Sequence, residues 1–341
     1  MSLLTRRHAL AVIAAAAALG LAACSSSSST SSTSPAAGGA AGSADRDPIA
    51  RLQVMAPADP GGGWDQTARA MAAAFEQEGL ARTVQVSNVG GAGGTVGLAS
   101  LANERSEEFL MVMGLVMVGA IETNASQATL ADTTPIARLT AEDEIIVVPA
   151  NSPFRSMSDL VAAMRSTGKA VSIAGGSAGG TDHILAGLIA KAGGVPATEL
   201  NYVPFSGGGE SLAALLGGKV SAGISGVGEY AEQVKAGKLR ALAVSGSARV
   251  PGLEAPTLTE AGVDVTLSNW RGVVAPPKVS AEAKQRLTAL VEDLHASAAW
   301  KDTLTKNGWS DSYLSGEEFG TFLQQEQTRI RGVLQDIGLV K

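Results

Sequence analysis

Between residues 51 and 246 the chain repeats one unit: a short apolar run, a glycine-rich break, then a stretch with apolar residues three and four apart. RLQVMAP breaks at ADPGGG and passes into DQTARAMAAAFEQEG, where Ala68, Met71, Ala72 and Phe75 share one helical face. TVQVSN, NVGGAGG and TVGLASLANE repeat the pattern, and FLMVMGL follows as an almost wholly apolar strand. A second series starts with EIIVVPA and SMSDLVAAMRST, the latter a helix with Ser156 or Ser158 as N-cap. It continues through AVSIAG, GSAGG and DHILAGLIAKAGG, then ELNYVPF, SGGG and ESLAALLGG, then VSAGISG and VGEYAEQVKAG, and closes at LRALAVSG. Apolar strands alternating with helices predict an α/β fold with mostly parallel, buried sheets. Two such series predict two lobes rather than one long sheet.

The end of the chain changes character. SNWRGVVAPPK reads as a strand ending in a turn, VSAEAKQRLTALVEDLHASAAW as an amphipathic helix begun at Ser280, and EEFGTFLQQEQTRIRGVLQDIG as a second helix. With no strands predicted after them, these helices are expected to pack back on the first lobe. A chain of 341 residues, 45% of them hydrophobic, can give two domains a core each. The net charge of −6 argues against a nucleic-acid partner. The apolar run from Leu110 to Ile121 falls short of the ~20 residues a membrane span needs.

In open α/β sheets, ligands bind beyond the carboxyl ends of strands, where helix N-termini point. Four breaks at that position are rich in glycine: Pro60 to Gly63, Gly90 to Gly94, Gly175 to Gly180, and Gly207 to Gly209. One glycine turn is ordinary turn chemistry. Four at one topological level predict convergent backbone N–H groups and helix dipoles, a site for an anion built without arginine. Asp65, Asp182 and Glu210 each fall in a first helical turn, where a carboxylate complements the dipole. That is their ordinary role, and it partly offsets the field an anion needs. The alternatives are that these acids brace the glycine turns, or that Asp182 takes a proton-bearing ligand group.

Other chemistries fit less well. Gly175, Ser177 and Gly179 spell G-x-S-x-G, the elbow of a nucleophilic serine. His183 stands only six residues on, however, and His295 lies in a predicted helix, so a secreted serine esterase using Ser177 is kept as an alternative to a non-enzyme. NVGGAGGTVG departs from the G-x-G-x-x-G dinucleotide fingerprint, and no cofactor is expected. No metal is expected either, because His183, His295 and Cys24 are too few ligands.

The N-terminus reads as an export segment. Arg6 and Arg7 precede a short apolar stretch that ends in Leu21-Ala22-Ala23-Cys24, which resembles a bacterial lipobox. Residues 1–23 are expected to be removed and Cys24, the single cysteine, lipidated. The remaining 24 basic and 32 acidic residues give a net charge of −8. Residues 24–45 form a serine-rich tether, roughly 25 Å in mean span as a flexible coil, holding a body to the outer face of the cytoplasmic membrane.

PGGGWDQTAR, the GGAGGTVG turn, VPFSGGGESLAALLGGKVSAG, AGKLRALAV and NWRGVVAP together resemble the substrate-binding proteins of tripartite tricarboxylate transporters, the TctC or Bug family. The resemblance covers the body from about residue 50 to the C-terminus. It implies a two-lobed periplasmic-binding-protein fold of type II, with residues 46–145 and 271–341 as lobe 1 and residues 146–270 as lobe 2. It also implies extracytoplasmic capture of a small di- or tricarboxylate by a monomer, for delivery to permease subunits in the membrane. A ligand-sensing partner of a membrane receptor would use the same fold. Carried over residue by residue, the resemblance puts one ligand carboxylate on Pro60, Gly61, Gly62, Gly63, Trp64 and Asp65, with Gly91, Ala92, Gly93, Gly94 and Thr95. The second lobe would read the rest through Ser177, Ala178, Gly179, Gly180, Thr181, Asp182 and His183, with Phe205, Ser206 and Gly207. GGSAGGTDH and FSGGGE depart from the commoner family pattern in those two places, so distal selectivity does not carry over. The Ser177 and Thr181 hydroxyls are expected to bond the ligand's distal group, and His183 to offer a charge that pH can switch.

Overall fold

The computed structural model describes residues 47–341. The signal segment, Cys24 and the predicted tether lie outside the described residues.

The two predicted series are two blocks of parallel strands. In the first, β1 (Leu52–Ala56) lies between β2 (Val84–Asn88) and β3 (Phe109–Gly114), parallel to both. In the second, β5 (Ser172–Gly175) lies between β6 (Asn201–Pro204) and β7 (Ala222–Gly226), again parallel to both. Helices α1 (Gly63–Gln77) and α2 (Thr95–Leu101) follow β1 and β2, and α5 (Thr181–Ala192), α6 (Gly208–Leu216) and α7 (Val227–Lys235) follow β5, β6 and β7. The apolar run from Leu110 divides at Gly114, where β3 gives way to α3 (Leu115–Thr123). That helix is buried nearly all round, as its composition requires. Among the described residues no helix is long and apolar enough to cross a membrane.

Antiparallel strands join the blocks, so the sheet as a whole is mixed. EIIVVPA is only the second half of β4, which runs from Thr134 to Pro149. Its first half, through Asp143, pairs with β9 (Ser268–Ala275) and β10 (Ser310–Ser315). From Glu144 it pairs with β7 and β8 (Leu239–Val244). Hydrogen bonding is therefore continuous in the order β2-β1-β3-β9-β4-β7-β5-β6. Sequence reading begins this strand only at Glu144 because Thr134–Asp143 carries Arg138, Glu142 and Asp143 among its apolar residues, which masks a strand.

Serine caps three helices. Ser156 accepts from the Asp159 amide to start α4 (Met157–Thr167), and Ser280 accepts from Ala283 to start α8 (Ala281–Ala296). Ser297 ends α8 and caps α9 (Ala298–Asn307), so the segment read as one helix is two. The late strand β10 was missed too. It follows α9 and leads into α10 (Gly316–Asp336), whose apolar side packs on β4 and α3. As expected for late helices returning to the first block, α8 and α9 pack on α1.

Candidate functional site

Each block puts its first strand in the middle, so the crossover direction reverses beside β1 and beside β5. A crevice opens at such a reversal. Both crevices belong to one cavity of about 200 Å³. Gly62, Gly63 and Trp64 line it after β1, Gly91 to Gly94 after β2, Gly176, Ser177, Gly180, Thr181 and Asp182 after β5, and Ser206 to Gly208 after β6. The start of α7 adds Ser225, Gly226 and Glu229, and β9 adds Asn269 and Arg271.

Besides the short α2, four helices begin at this cavity, and in none does the N-cap residue supply a side-chain cap. The N-caps of α1, α5, α6 and α7 are Gly62, Gly180, Gly207 and Gly226, and all four line the cavity. The serine-capped α4, α8 and α9 contribute nothing to its walls. A serine or aspartate cap is worth ~1 kcal/mol over alanine. In its place Glu142 accepts from the Gly228 amide of α7 at 3.1 Å and Glu229 from the Gly208 amide of α6, and no such side chain bonds the first turn of α1 or α5 from the N-cap. An anion in the cavity meets the positive ends of four helix dipoles.

The turn after β2 is held in an unusual shape. Gly91, Ala92, Gly93 and Gly94 have φ of 121°, 50°, 63° and 90°. Ala92 is one of two non-glycine residues with positive φ among those described, a conformation that costs on the order of 1–3 kcal/mol. The Ala92 carbonyl accepts from the Asn124 side-chain amide at 2.9 Å and the Thr95 hydroxyl at 3.0 Å, which pins it. A Cβ on Gly94 would lie 2.5 Å from the Trp64 ring. Backbone and indole meet there without room for a side chain.

The first-turn acids brace the turns. Asp65 accepts from the Gly61 amide at 2.8 Å, Asp182 from Gly176 at 2.6 Å, and Glu210 from Ser206 at 3.1 Å. Asp65 is buried, yet its pKa is lowered: the Arg69 side chain, the Gly61 amide and Asn88 outweigh the desolvation. Asp182 differs. Burial pushes it up to about 7 against the pull of the Gly176 amide, and the Glu229 charge adds to the rise. Glu229 is also raised by burial, although the Ser225 hydroxyl bonds it.

Arg271 is the main finding that sequence reading missed. The site was expected to lack arginine, but the Arg271 guanidinium lines the cavity. It pairs with Glu142 of β4 at 2.7 Å, with side-chain exposures of 8% and 5%. Alternation along β9 explains the placement. Asn269 and Arg271 face the cavity, while Trp270 turns to the other face, where its Nε1 donates to Glu326 at 2.8 Å and its ring meets Phe322 edge-on. Two polar residues two apart in an otherwise apolar strand are a signal that can be read from sequence. So is Glu229, which follows β7 as Asp182 follows β5.

Not every expected residue reaches the cavity. Gly62, Gly63, Trp64, Gly91, Ala92, Gly93, Gly94, Ser177, Gly180, Thr181, Asp182, Ser206 and Gly207 line it. Pro60, Gly61, Asp65, Thr95, Ala178, Gly179, His183 and Phe205 are not among its lining residues. Thr181 reaches it, but its hydroxyl already donates to Asn269 at 3.3 Å. His183 stacks on Tyr202 with ring centroids 4.0 Å apart, and its Nδ1 accepts from the Gly179 amide at 3.1 Å. Burial lowers its pKa to about 4, so it is neutral near pH 7 and offers no switchable charge there. Nor is it placed as a base for Ser177. The other candidate base, His295, is bonded to Asp311 at 2.9 Å. Among the described residues no cluster of His, Cys, Asp and Glu could hold a metal ion.

A family model described as "Tripartite tricarboxylate transporter family receptor" matches residues 67–339. Protein BugT of Bordetella pertussis is 26% identical over 303 residues, 87% of this chain and 92% of that one. Among solved structures, MatC of Rhodopseudomonas palustris with bound malate superposes with a TM-score of 0.72 at 22% identity, over 84% of this chain and 99% of that chain. Rpa4515 of R. palustris with adipate gives 0.77 at 23% identity, over 85% and 98%. The fold is that of the periplasmic binding proteins.

Proposed function

This chain belongs to the tripartite tricarboxylate transporter family of receptors, which are solute-binding proteins, and we propose that it captures a small di- or tricarboxylate outside the cytoplasm and delivers it to a membrane permease. The observation that carries this reading is the convergence of four glycine-capped helix N-termini on one cavity. One ligand carboxylate sits on the amides of Gly62, Gly63 and residues 91–94. The remainder meets Ser177, the start of α5 and the Ser206–Gly208 turn.

The blocks act as lobes, residues 46–145 with 271–341 and residues 146–270, which close on the ligand about β4 and β9. The change of partners along β4 at Glu144 supports a boundary there. Malate and adipate in two structures of the same fold support a dicarboxylate while differing in length. Lipid on Cys24 keeps the protein beside its permease as a monomer.

A thermal-shift panel of organic acids on the purified full chain tests the reading. A binder at a hundred times its Kd adds about 2.7 kcal/mol, a rise in Tm of several degrees. A panel in which no di- or tricarboxylate raises Tm overturns it.

A further inference from the structure

The cavity has more acid on its second-block wall than an anion receptor needs. Asp182 and Glu229 both line it, from the first turns of α5 and α7. Arg271 is the one cationic side chain among its described lining residues, and Glu142 already occupies it at 2.7 Å. Beneath them, Glu144 is fully buried, and neither of its carboxyl oxygens has a hydrogen-bond partner. Its electrostatic neighbours are Asp182, Glu142, Glu229 and Arg271.

The hydrogen bonds of the two lining acids suit their ionised forms. Asp182 accepts from the Gly176 amide, and Glu229 accepts from the Ser225 hydroxyl and the Gly208 amide. An N–H or O–H aimed at a carboxyl oxygen favours the carboxylate. Two carboxyl groups thus have the hydrogen-bond donors of carboxylates but no cation of the protein's own, and they face a cavity whose other wall presents amide donors. A positive charge on the ligand completes this arrangement.

We propose that the ligand is an amino-bearing carboxylate, a zwitterion whose carboxylate lies on the Gly62–Gly63 and Gly91–Gly94 amides and whose protonated amine lies against Asp182 and Glu229. This rests on the carboxylate-capture reading and narrows it. The groups that bear on Asp182 are Glu142 and Glu144 of β4, Tyr202 of β6, and Glu229 and Tyr230 of α7; Arg271 of β9 acts on Glu144 and Glu229, and His183 is the next residue of α5. Arg271 apart, none brings a positive charge near pH 7, since His183 is neutral there. An arriving ammonium therefore favours ionised Asp182 and displaces its proton.

Isothermal titration of the full chain with matched pairs tests this: aspartate against succinate, glutamate against glutarate, and 4-aminobutyrate against butyrate. The amino member of each binding pair is expected to bind at least tenfold tighter. With aspartate or glutamate, titrations near pH 6.5 in buffers of different ionisation enthalpy are expected to show proton release. Asp182→Asn and Glu229→Gln are each expected to cut the preference for the amino member below threefold, and a preference kept at tenfold in both overturns the amine site. Two separate variants guard against one that fails to fold. Equal or tighter binding of the plain acids to the unaltered chain overturns the amine and leaves carboxylate capture standing. No binding by any of the six overturns both.

Discussion

Arg271 and Glu142 form an ion pair of 2.7 Å, more than nine-tenths buried, on the two neighbouring strands β9 and β4 that join the parallel blocks. The pair places a cation on the cavity wall and cancels it in the same contact. Removing one partner of a buried pair costs ~3–5 kcal/mol because the other charge is stranded. Arg271→Met and Glu142→Gln are each expected to lower the urea midpoint markedly. They separate in binding: Glu142→Gln frees the guanidinium and tightens plain dicarboxylates, whereas Arg271→Met does not. Matching affinity changes in the two variants would count against this assignment.

Stability of the unliganded protein should fall as pH rises from about 4 to about 7. A carboxyl held above its ordinary range is protonated in the fold but ionised in the unfolded chain between the two pKa values, so raising pH through that window favours unfolding. For Asp182 the window runs from 3.8 to about 7, and burial raises Glu144 and Glu229 in the same direction. Asp65 works the opposite way at acid pH, where protonation costs it the Arg69 pair. Calorimetric scans should give the highest Tm on the acid side of neutrality, and Asp182→Asn should flatten the decline above it. A Tm that climbs steadily to pH 8 contradicts the assignment.

Gly94→Ala should cost roughly 1–3 kcal/mol of stability and weaken ligand binding. Its φ is 90°, and the new Cβ would press on Trp64 and Met117. Gly218→Ala is the control, with φ of 64° and open space around it. It should carry only the backbone cost and leave affinity alone.

Ser177→Ala should weaken binding several-fold, consistent with one hydrogen bond of ~0.5–1.5 kcal/mol, with Tm of the free protein unchanged. Titration against the same carboxylate decides it, and an unaltered Kd removes Ser177 from the ligand's contacts.

Cys24→Ser should move the protein from the membrane to the soluble fraction. Fractionation of cells checks this, and retention at the membrane would remove lipid as the tether.

Much of the frame was legible because it rests on local patterns. The strand and helix series, the Ser156 and Ser280 caps and the meeting of four glycine turns follow from period, capping and topology. The missed parts depend on contacts distant in sequence. Glu142 and Arg271 stand 129 positions apart, and each alone reads as a solvated charge. Thr134–Asp143 is a strand because β9 and β10 flank it, although its own residues alternate poorly. His183 invited a pH-sensing role until Tyr202 and the Gly179 amide claimed both its face and its nitrogen.

The contrast between glycine and serine caps has a consequence for the empty protein. Without a guest, the glycine-capped openings of α1 and α5 lack what Ser156, Ser280 and Ser297 supply elsewhere, and those of α6 and α7 lean on Glu229 and Glu142 instead. A captured metabolite becomes a missing structural piece shared by four helices. Amide exchange should then slow at all four openings together, and loading would read as the last step of folding.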